Sequence, residues 1–416
     1  MKSQLILPYG VVGIPVAFLG LPIFIYLPTY FVQNLNIDAL SVGLALFLAR
    51  LFDMIIDPYI GNITNKSKDK YKFMLIFSII VIISLYFLIN PVFLNFTWLL
   101  LFSFLTYLSY SFILIPYLSL NSTLAKDENH SSKLSFSREV FIIFGTLIAL
   151  LIPYIFDLSA DLKKSLDSLF LFLLITLIPI VLYSRYKINH YQNSLKTKDL
   201  EPNKENKFFS LLINYFKKAR KNRSLMFAFL FNNTANALSA TMFIMYTEHI
   251  LNLKDDLGLF LMIYFLSAII GFSFWLKLSQ KISKENTWIV SILVSCVAFF
   301  AVVFLGQGDK TLYILVCIVT GFCLSCDMAI PSSIQADLTK KLDEIRDILF
   351  GFWAMITKLA LGLAVLVSFS ILYFTSYEQT NINTHSYYMI IFLYCVLPIF
   401  LKFIAIYFIK SYKTIK

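Results

Sequence analysis

Charge is scarce in this chain. Asp, Glu, Lys and Arg together make up 14% of the 416 residues, where a soluble domain carries about 25%. With 59% hydrophobic residues, a fold solvated mainly by water is excluded, and lipid must cover most of the surface. Histidine is almost missing: His130, His190, His249 and His385 are scattered over loops and span ends. No HExxH or GxSxG string occurs, and no GxxxxGK phosphate loop, so nothing pairs a nucleophile with a base or cradles a nucleotide. Enzymatic chemistry, a bound cofactor and ATP-driven transport are set aside on that basis. The five cysteines (Cys296, Cys317, Cys323, Cys326, Cys395) all fall in apolar runs. Cys323 and Cys326 have metal-like spacing but no second pair, so they read as small structural residues, without zinc and without disulfides.

What is abundant is hydrophobic length. Twelve apolar runs lie near the roughly 20 residues that a bilayer-crossing helix needs. They are 5–31, 39–62, 73–90, 96–121, 136–156, 166–185, 224–251, 257–278, 288–305, 312–335, 348–374 and 387–409. The first is too long for a cleaved signal, and no small-residue cleavage site follows it. Basic residues favour one side of these spans. Lys66, Lys68, Lys70 and Lys72 follow the second, and Lys277, Lys281 and Lys284 surround the end of the eighth. The opposite side shows Lys163, Lys164, Lys254 and Lys310. This positive-inside bias places both termini in the cytoplasm of a multi-pass protein of the inner or plasma membrane.

The net charge of +11 therefore reports topology and gives no reason to invoke nucleic acid. Eleven Lys and Arg between Arg185 and Arg223 stand against Asp199, Glu201 and Glu205, a balance that suits anionic lipid headgroups. The segment FFSLLINYFKKARKNRS reads as an interfacial amphipathic helix feeding the seventh span. Glu248 and His249 read as interfacial, and Lys402 as snorkelling to the headgroups.

The basic linker divides the chain into a bundle over 1–185, a linker over 186–223 and a second bundle over 224–416. Weak self-similarity links the halves at an offset of about 215. IPYLSLNSTLAKD (115–127) matches IPSSIQADLTKKLD (330–343), YFVQNLNI (30–37) matches YTEHILNL (246–253), and KSK (66–68) matches KIS (281–283). Duplicated six-helix bundles are the parallel repeat of the major facilitator superfamily. The expected fold is all-α, with twelve transmembrane helices in two bundles, working as a monomer. A solute site near the midplane between the halves would alternate its access.

One stretch stands out against this background. ARLFDMIIDPYIG places Arg50, Asp53 and Asp57 inside a span, where each costs about 2.5–3.5 kcal/mol at a helix centre. Asp53 and Asp57 are four residues apart and project from one face, with Arg50 a turn earlier. Two ionised carboxylates at that spacing repel in a low dielectric, so one takes a proton, pairs with Arg50 or shares a cation. The functional reading is a site coupling an ion gradient to a conformational change. The structural one is a buried ion-pair network ordering the bundle.

ARLFDMIIDPYIGNITNKSKDKYK also resembles the second-span signature of the glycoside–pentoside–hexuronide cation symporters, the melibiose-permease-like branch of the major facilitator superfamily. LIPYLSLNSTLAKDENHSSKLSFSRE resembles the family's fourth-to-fifth-span signature, and SSIQADLTKKLDEIRDILFGFWAMITKLALG its tenth-to-eleventh. The resemblance implies that Asp53 and Asp57 bind the coupling ion, Na⁺ or H⁺, with Ser111 where the family has a threonine. It implies that Arg138 is the fifth-span arginine, with Glu139 as the rival register. Lys358 matches the eleventh-span lysine of the substrate cavity. Arg50 and Glu139 would serve a helix network, and Asp337 a gate or loop contact.

Departures from the pattern bear on the solute. Gly13-Ile14-Pro15 replaces the first-span Gly-Lys-Asp, and Leu114 and Leu118 replace the fourth-span sugar aspartate and tryptophan. A site without acceptors for sugar hydroxyls loses selectivity for a galactoside. Ile56 replaces an asparagine ligand of the cation site, which gives a proton shared by the carboxylates at least as strong a claim as Na⁺. Asn65 replaces an acidic loop residue, leaving that gate without its salt bridge. Asp327, a lone carboxylate in the tenth span, reads either as a hydrogen-bonded structural group or as a substrate or proton site. Three functions follow: a cation-coupled symporter of a sugar, glycoside or sugar acid; an amphiphile or lysolipid carrier; and a non-transporting membrane receptor.

Overall fold

The computed structural model describes residues 5–20, 27, 30–31, 34–35, 37, 39–67, 69–155, 162–193, 220–340, 342, 345–374 and 384–414. Helices and turns account for them, with no strand among the described residues. Lipid offers no partner to an open backbone group, so each crossing must close its hydrogen bonds within itself.

In chain order the helices are α1 (Ile6–Phe18, broken at Val11–Val12), α2 (Ala39–Asn65), α3 (Lys70–Ile89), α4 (Phe96–Leu124), α5 (Glu128–Ile155) and α6 (Leu162–Asn193). There follow α7 (Arg220–Met245), α8 (Leu257–Ile282), α9 (Lys284–Val302), α10 (Lys310–Thr339) and α11 (Arg346–Phe374). The last, α12, runs from Thr384–Ile391 through a π-helical turn, Phe392–Val396, into Leu397–Thr414. Side chains satisfy the ends where the crossings stop. Asn95 opens α4 by accepting the Trp98 N–H at 2.8 Å, an N-cap bond. Most of the central linker, including most of its expected amphipathic helix, lies outside the described residues; from Arg220 it is already α7.

Eight described helices are long and apolar enough to cross a membrane: α3, α4, α6 and α8 to α12. The long helices outside that set are α2, α5 and α7. The first two carry Arg50, Asp53 and Asp57, and Arg138 and Glu139; the third carries Asn232, Asn233 and Asn236. These polar groups lower the hydropathy of the three helices. Large apolar side chains stand uncovered along the spans, as at Val297 (72% exposed), Ile270 (71%) and Leu366 (64%). That is a surface for acyl chains.

The chain forms two compact units, Met1–Asn206 with Ala336–Met355, and Lys207–Gln335 with Ile356–Lys416. The first is built on Tyr9, Val12, Phe18, Ile113, Tyr117 and Leu177. Its segment from the end of α10 into α11 packs on α2 with backbone against backbone. A Cβ at Gly61 would strike the carbonyl of Asp347, and one at Gly351 the carbonyl of Asp57. Small residues let membrane helices approach this closely. In the second unit Tyr246 stacks on Tyr394 at 4.3 Å, and Tyr394 and Tyr313 share a hydroxyl hydrogen bond of 2.7 Å.

Both units repeat one interhelical bond. Lys70 of α3 donates to Ser119 of α4 at 2.7 Å, and Lys284 of α9 donates to Ser333 of α10 at 2.7 Å. Each pair is 49 residues apart, and Pro116 in α4 and Pro331 in α10 occupy matching places. The weak sequence repeat therefore has a counterpart in side-chain geometry. Gly61→Val is expected to cost about 1–3 kcal/mol through overpacking, seen as a lower melting temperature in detergent. Gly362→Ala, with nothing within 4 Å of the new Cβ, is the control. Equal melting temperatures for the two variants would contradict the close α2–α11 crossing.

Candidate functional site

The polar interior of the first unit begins on α2. Phe52, Ile55, Tyr59 and Ile63 face outward, whereas Asp53 and Asp57 are 0% exposed. Helical periodicity explains the split, since 53 and 57 share a face that the apolar stripe does not. From α4, Ser111 donates to Asp53 Oδ1 at 2.7 Å. One turn before Asp53, the Arg50 guanidinium lies 4.8 Å from the centre of the Tyr107 ring, within cation–π range. The structure thus gathers Asp53 and Ser111, with Asp57 a turn further along. Immediately beyond it come Pro58 and the Gly61 crossing.

At that end of α2 the helices are fastened by charge. Lys70 reaches Asp347 Oδ1 at 2.5 Å as well as Ser119, and the Asp347 N–H donates to Asn65 Oδ1 at 3.2 Å. The side chain of Asp347 is 0% exposed and that of Lys70 11%. Asn65 forms no salt bridge of its own, as its neutral amide requires, and a different ion pair stands at this end. Lys70 supplies the charge, and Asn65 holds the backbone of its partner. Asp337 lies half-buried in the last turn of α10.

On α5, Arg138 and Glu139 are both buried and bonded to each other. Arg138 donates through Nε at 2.9 Å and Nη2 at 2.5 Å to Glu139 Oε1, and through Nη1 to the Tyr9 hydroxyl at 3.3 Å. Tyr9 and Tyr117 then exchange hydroxyl-to-carbonyl bonds, at 3.3 and 2.9 Å. The two registers weighed for the family arginine therefore describe two halves of one network joining α1, α4 and α5.

The second unit has a polar centre of its own. Asp327 of α10 accepts from Lys402 Nζ at 3.2 Å and Asn236 Nδ2 at 2.9 Å on Oδ2, and from Trp288 Nε1 at 3.0 Å on Oδ1. Lys402 also donates to Asn232 Oδ1 at 3.1 Å. The reading of Lys402 as a snorkelling residue is corrected: it is 0% exposed. The cause is geometric. Helix α12 continues to Thr414, about three turns beyond Lys402, and it turns Phe400, Phe403 and Tyr407 outward instead. Lys358 of α11 is also buried, at 7% exposure. Asp327 takes its ammonium partner from α12.

Of Lys402, Asn236, Trp288 and Asp347, sequence reasoning placed the first at the headgroups and passed over the others. A signal existed for the second in the amide-rich string NNTAN, which no apolar span needs. All five cysteines are buried free thiols. Among the described residues, no three of His, Cys, Asp and Glu are grouped to hold a metal ion.

Helices solvated by lipid outside and lined by paired charges inside define a polytopic membrane transporter of the major facilitator fold. The chain matches the family described as MFS/sugar transport protein over residues 8–414 and belongs to it. A curated relative is an uncharacterized symporter, YnaJ, of Bacillus subtilis (strain 168), 23% identical over 306 residues. That match covers 70% of this chain and 64% of the relative, so it spans just under two thirds of that protein. Among solved structures, the fucose:proton symporter FucP of E. coli aligns with a TM-score of 0.67 at 14% identity, covering 97% of this chain and 98% of its own. A bacterial homologue of the iron transporter ferroportin reaches 0.70 at 13% identity, over 100% and 99%. The proton:xylose symporter XylE reaches 0.64 at 15%, over 96% and 94%. At such identities these structures establish the fold alone.

Removing one member of a buried ion pair strands the other charge, at about 3–5 kcal/mol. Lys70→Met is therefore expected to lower the melting temperature sharply, and Lys70→Met combined with Asp347→Leu to recover most of the loss. If the double variant melts as low as the single one, the pair is not what fastens these helices.

Proposed function

We propose that this protein is a cation-coupled symporter of a small organic solute, a sugar, glycoside or sugar acid, working by alternating access. The observation that carries the reading is the pair Asp53 and Asp57, fully buried on one face of a membrane helix. Of the three ionisable groups on that part of α2, two are acidic and one is basic. Two carboxylates one turn apart repel each other, and a bound cation would relieve that repulsion. Binding a proton or Na⁺ there changes the electrostatic cost of enclosing the site, and that difference links ion occupancy to conformation.

Ser111, already bonded to Asp53, supplies a further oxygen. Sodium requires several oxygen ligands, and Ile56 contributes none, so the oxygen count favours the proton. The names of the fold relatives, two of them proton symporters, agree with that choice. As solute contacts we assign Arg138 in the first unit and, each by itself, Lys358 and the Asp327 centre in the second; a basic side chain suits a sugar carboxylate. Arg50, Glu139 and Asp337 serve the helix network and gating. The lysine distribution places both termini in the cytoplasm. The basic linker meets anionic headgroups there. The protein needs neither cofactor nor catalytic residue, and it acts as a monomer.

The test uses proteoliposomes with an imposed ion gradient and a panel of sugars, sugar acids and lysolipids. A solute accumulated by the native protein is expected to be accumulated at least tenfold less by Asp53→Asn, with membrane insertion unchanged. Full accumulation by that variant would remove the coupling role. Movement of lysolipids alone would favour the amphiphile carrier.

A further inference from the structure

We infer that Asn236 is a hydroxyl-accepting contact for the solute, its carboxamide aimed by the buried Asp327–Lys402 pair. The inference rests on the transport reading and deepens it. Its starting point is the unusual composition of α7. Asn233 and Asn236 lie three residues apart near the middle of the helix, and both are partly exposed. Ala240, a turn beyond Asn236, is exposed as well and adds only a methyl group to that face, and large apolar side chains resume a turn later at Ile244, 56% exposed. The lipid-facing positions of other spans carry large apolar side chains instead, as at Ile270, Val297 and Phe400. Amides have no partner in hydrocarbon. This stripe of amides and a small residue therefore belongs to a water-filled face of the second unit.

The orientation of Asn236 follows from the chemistry of its partner. An ionised carboxylate only accepts hydrogen bonds, so the amide nitrogen must be the end facing Asp327. The bond is 2.9 Å, and it leaves the amide oxygen directed away from the ion pair. Asp327 cannot readily abandon this geometry, because Lys402 and Trp288 hold the same carboxylate at 3.2 and 3.0 Å. Asn232 steadies Lys402 in turn at 3.1 Å. Asp327 is charge-balanced and bonded on both oxygens, so it is a positioning residue. The group it presents is a fixed acceptor.

A fixed acceptor selects its ligand. It takes an O–H donor and disfavours a carboxylate or phosphate oxygen, which can only accept. The solute class at this stripe is therefore a polyhydroxylated neutral moiety, such as the ring of a sugar or glycoside. An acidic group on the same solute would be held elsewhere. A hydrogen bond that must be matched discriminates steeply against an analogue lacking the hydroxyl.

The test is a binding cycle on the purified full-length protein, read by thermal shift. The probes are methyl β-D-galactoside, D-xylose, L-fucose and D-glucuronate, with the single-deoxy analogues of whichever binds. Asn236→Ala is expected to weaken that sugar about tenfold. Asn236→Leu, similar in size and lacking the acceptor, is the second variant should the first unfold. One deoxy analogue should bind the native protein about tenfold more weakly, yet bind Asn236→Ala no more weakly than the parent sugar does. Asp327→Asn frees the amide to reverse, so it should lose discrimination against the same analogue. A structural role for Asp327 would not single out one hydroxyl.

Undiminished sugar affinity in both Asn236 variants, or losses that simply add, would overturn the inference while leaving the transport reading intact. Should none of the four probes stabilise the native protein, the sugar reading itself fails, and this assignment with it.

Discussion

A charge inside a bilayer has no water to turn to, and this constraint shapes the whole molecule. The chain meets it by giving buried ions partners, most of them from another helix. Arg138 and Glu139 are bonded and tied to Tyr9. Asp327 is held by Lys402, and Asp347 by Lys70. Desolvating each ion costs several kcal/mol, so the pairs stabilise only while their geometry is kept. That makes them fasteners between helices. It also makes any net charge left in the interior a natural place for a mobile ion.

The two units use one architecture for different chemistry. In the first, Asp53 and Asp57 set two carboxyl groups on adjacent turns of α2, the arrangement on which the proposed cation binding rests. In the second, the chain supplies its own ammonium, and the Asp327 centre is already balanced. Such a centre has little to gain from a cation, and its rigidity can instead orient a neighbouring amide. Duplication explains the common scaffold, down to the paired lysine–serine bonds of α3–α4 and α9–α10. Divergence of a few polar positions would explain the separate roles proposed for them.

The proposed ion coupling would need the charged face to sit close to a moving part. Asp57 is placed where α2 meets the start of α11, with only glycine tolerated on either side. Lys70 and Asn65 secure the same junction through Asp347. A change in charge at Asp57 thus acts one turn from a tight backbone contact. Packed contacts of this kind have two discrete arrangements more readily than a continuum of intermediate ones.

Much of this could be read from the sequence alone. Hydrophobic length determined the crossings, because backbone hydrogen bonding in lipid leaves the helix as the option for such a chain. Local spacing determined that Asp53 and Asp57 share a face, since four residues are about one helical turn. The pairing of charges was decided only in three dimensions. Lys402 and Asp327 are 75 residues apart, and Lys70 and Asp347 are 277 apart; no periodicity connects them. Whether Lys402 seeks the headgroups or the interior depends on how far α12 extends and which face it turns to α7. Which end of the Asn236 amide faces outward depends on a carboxylate that only the folded chain brings beside it.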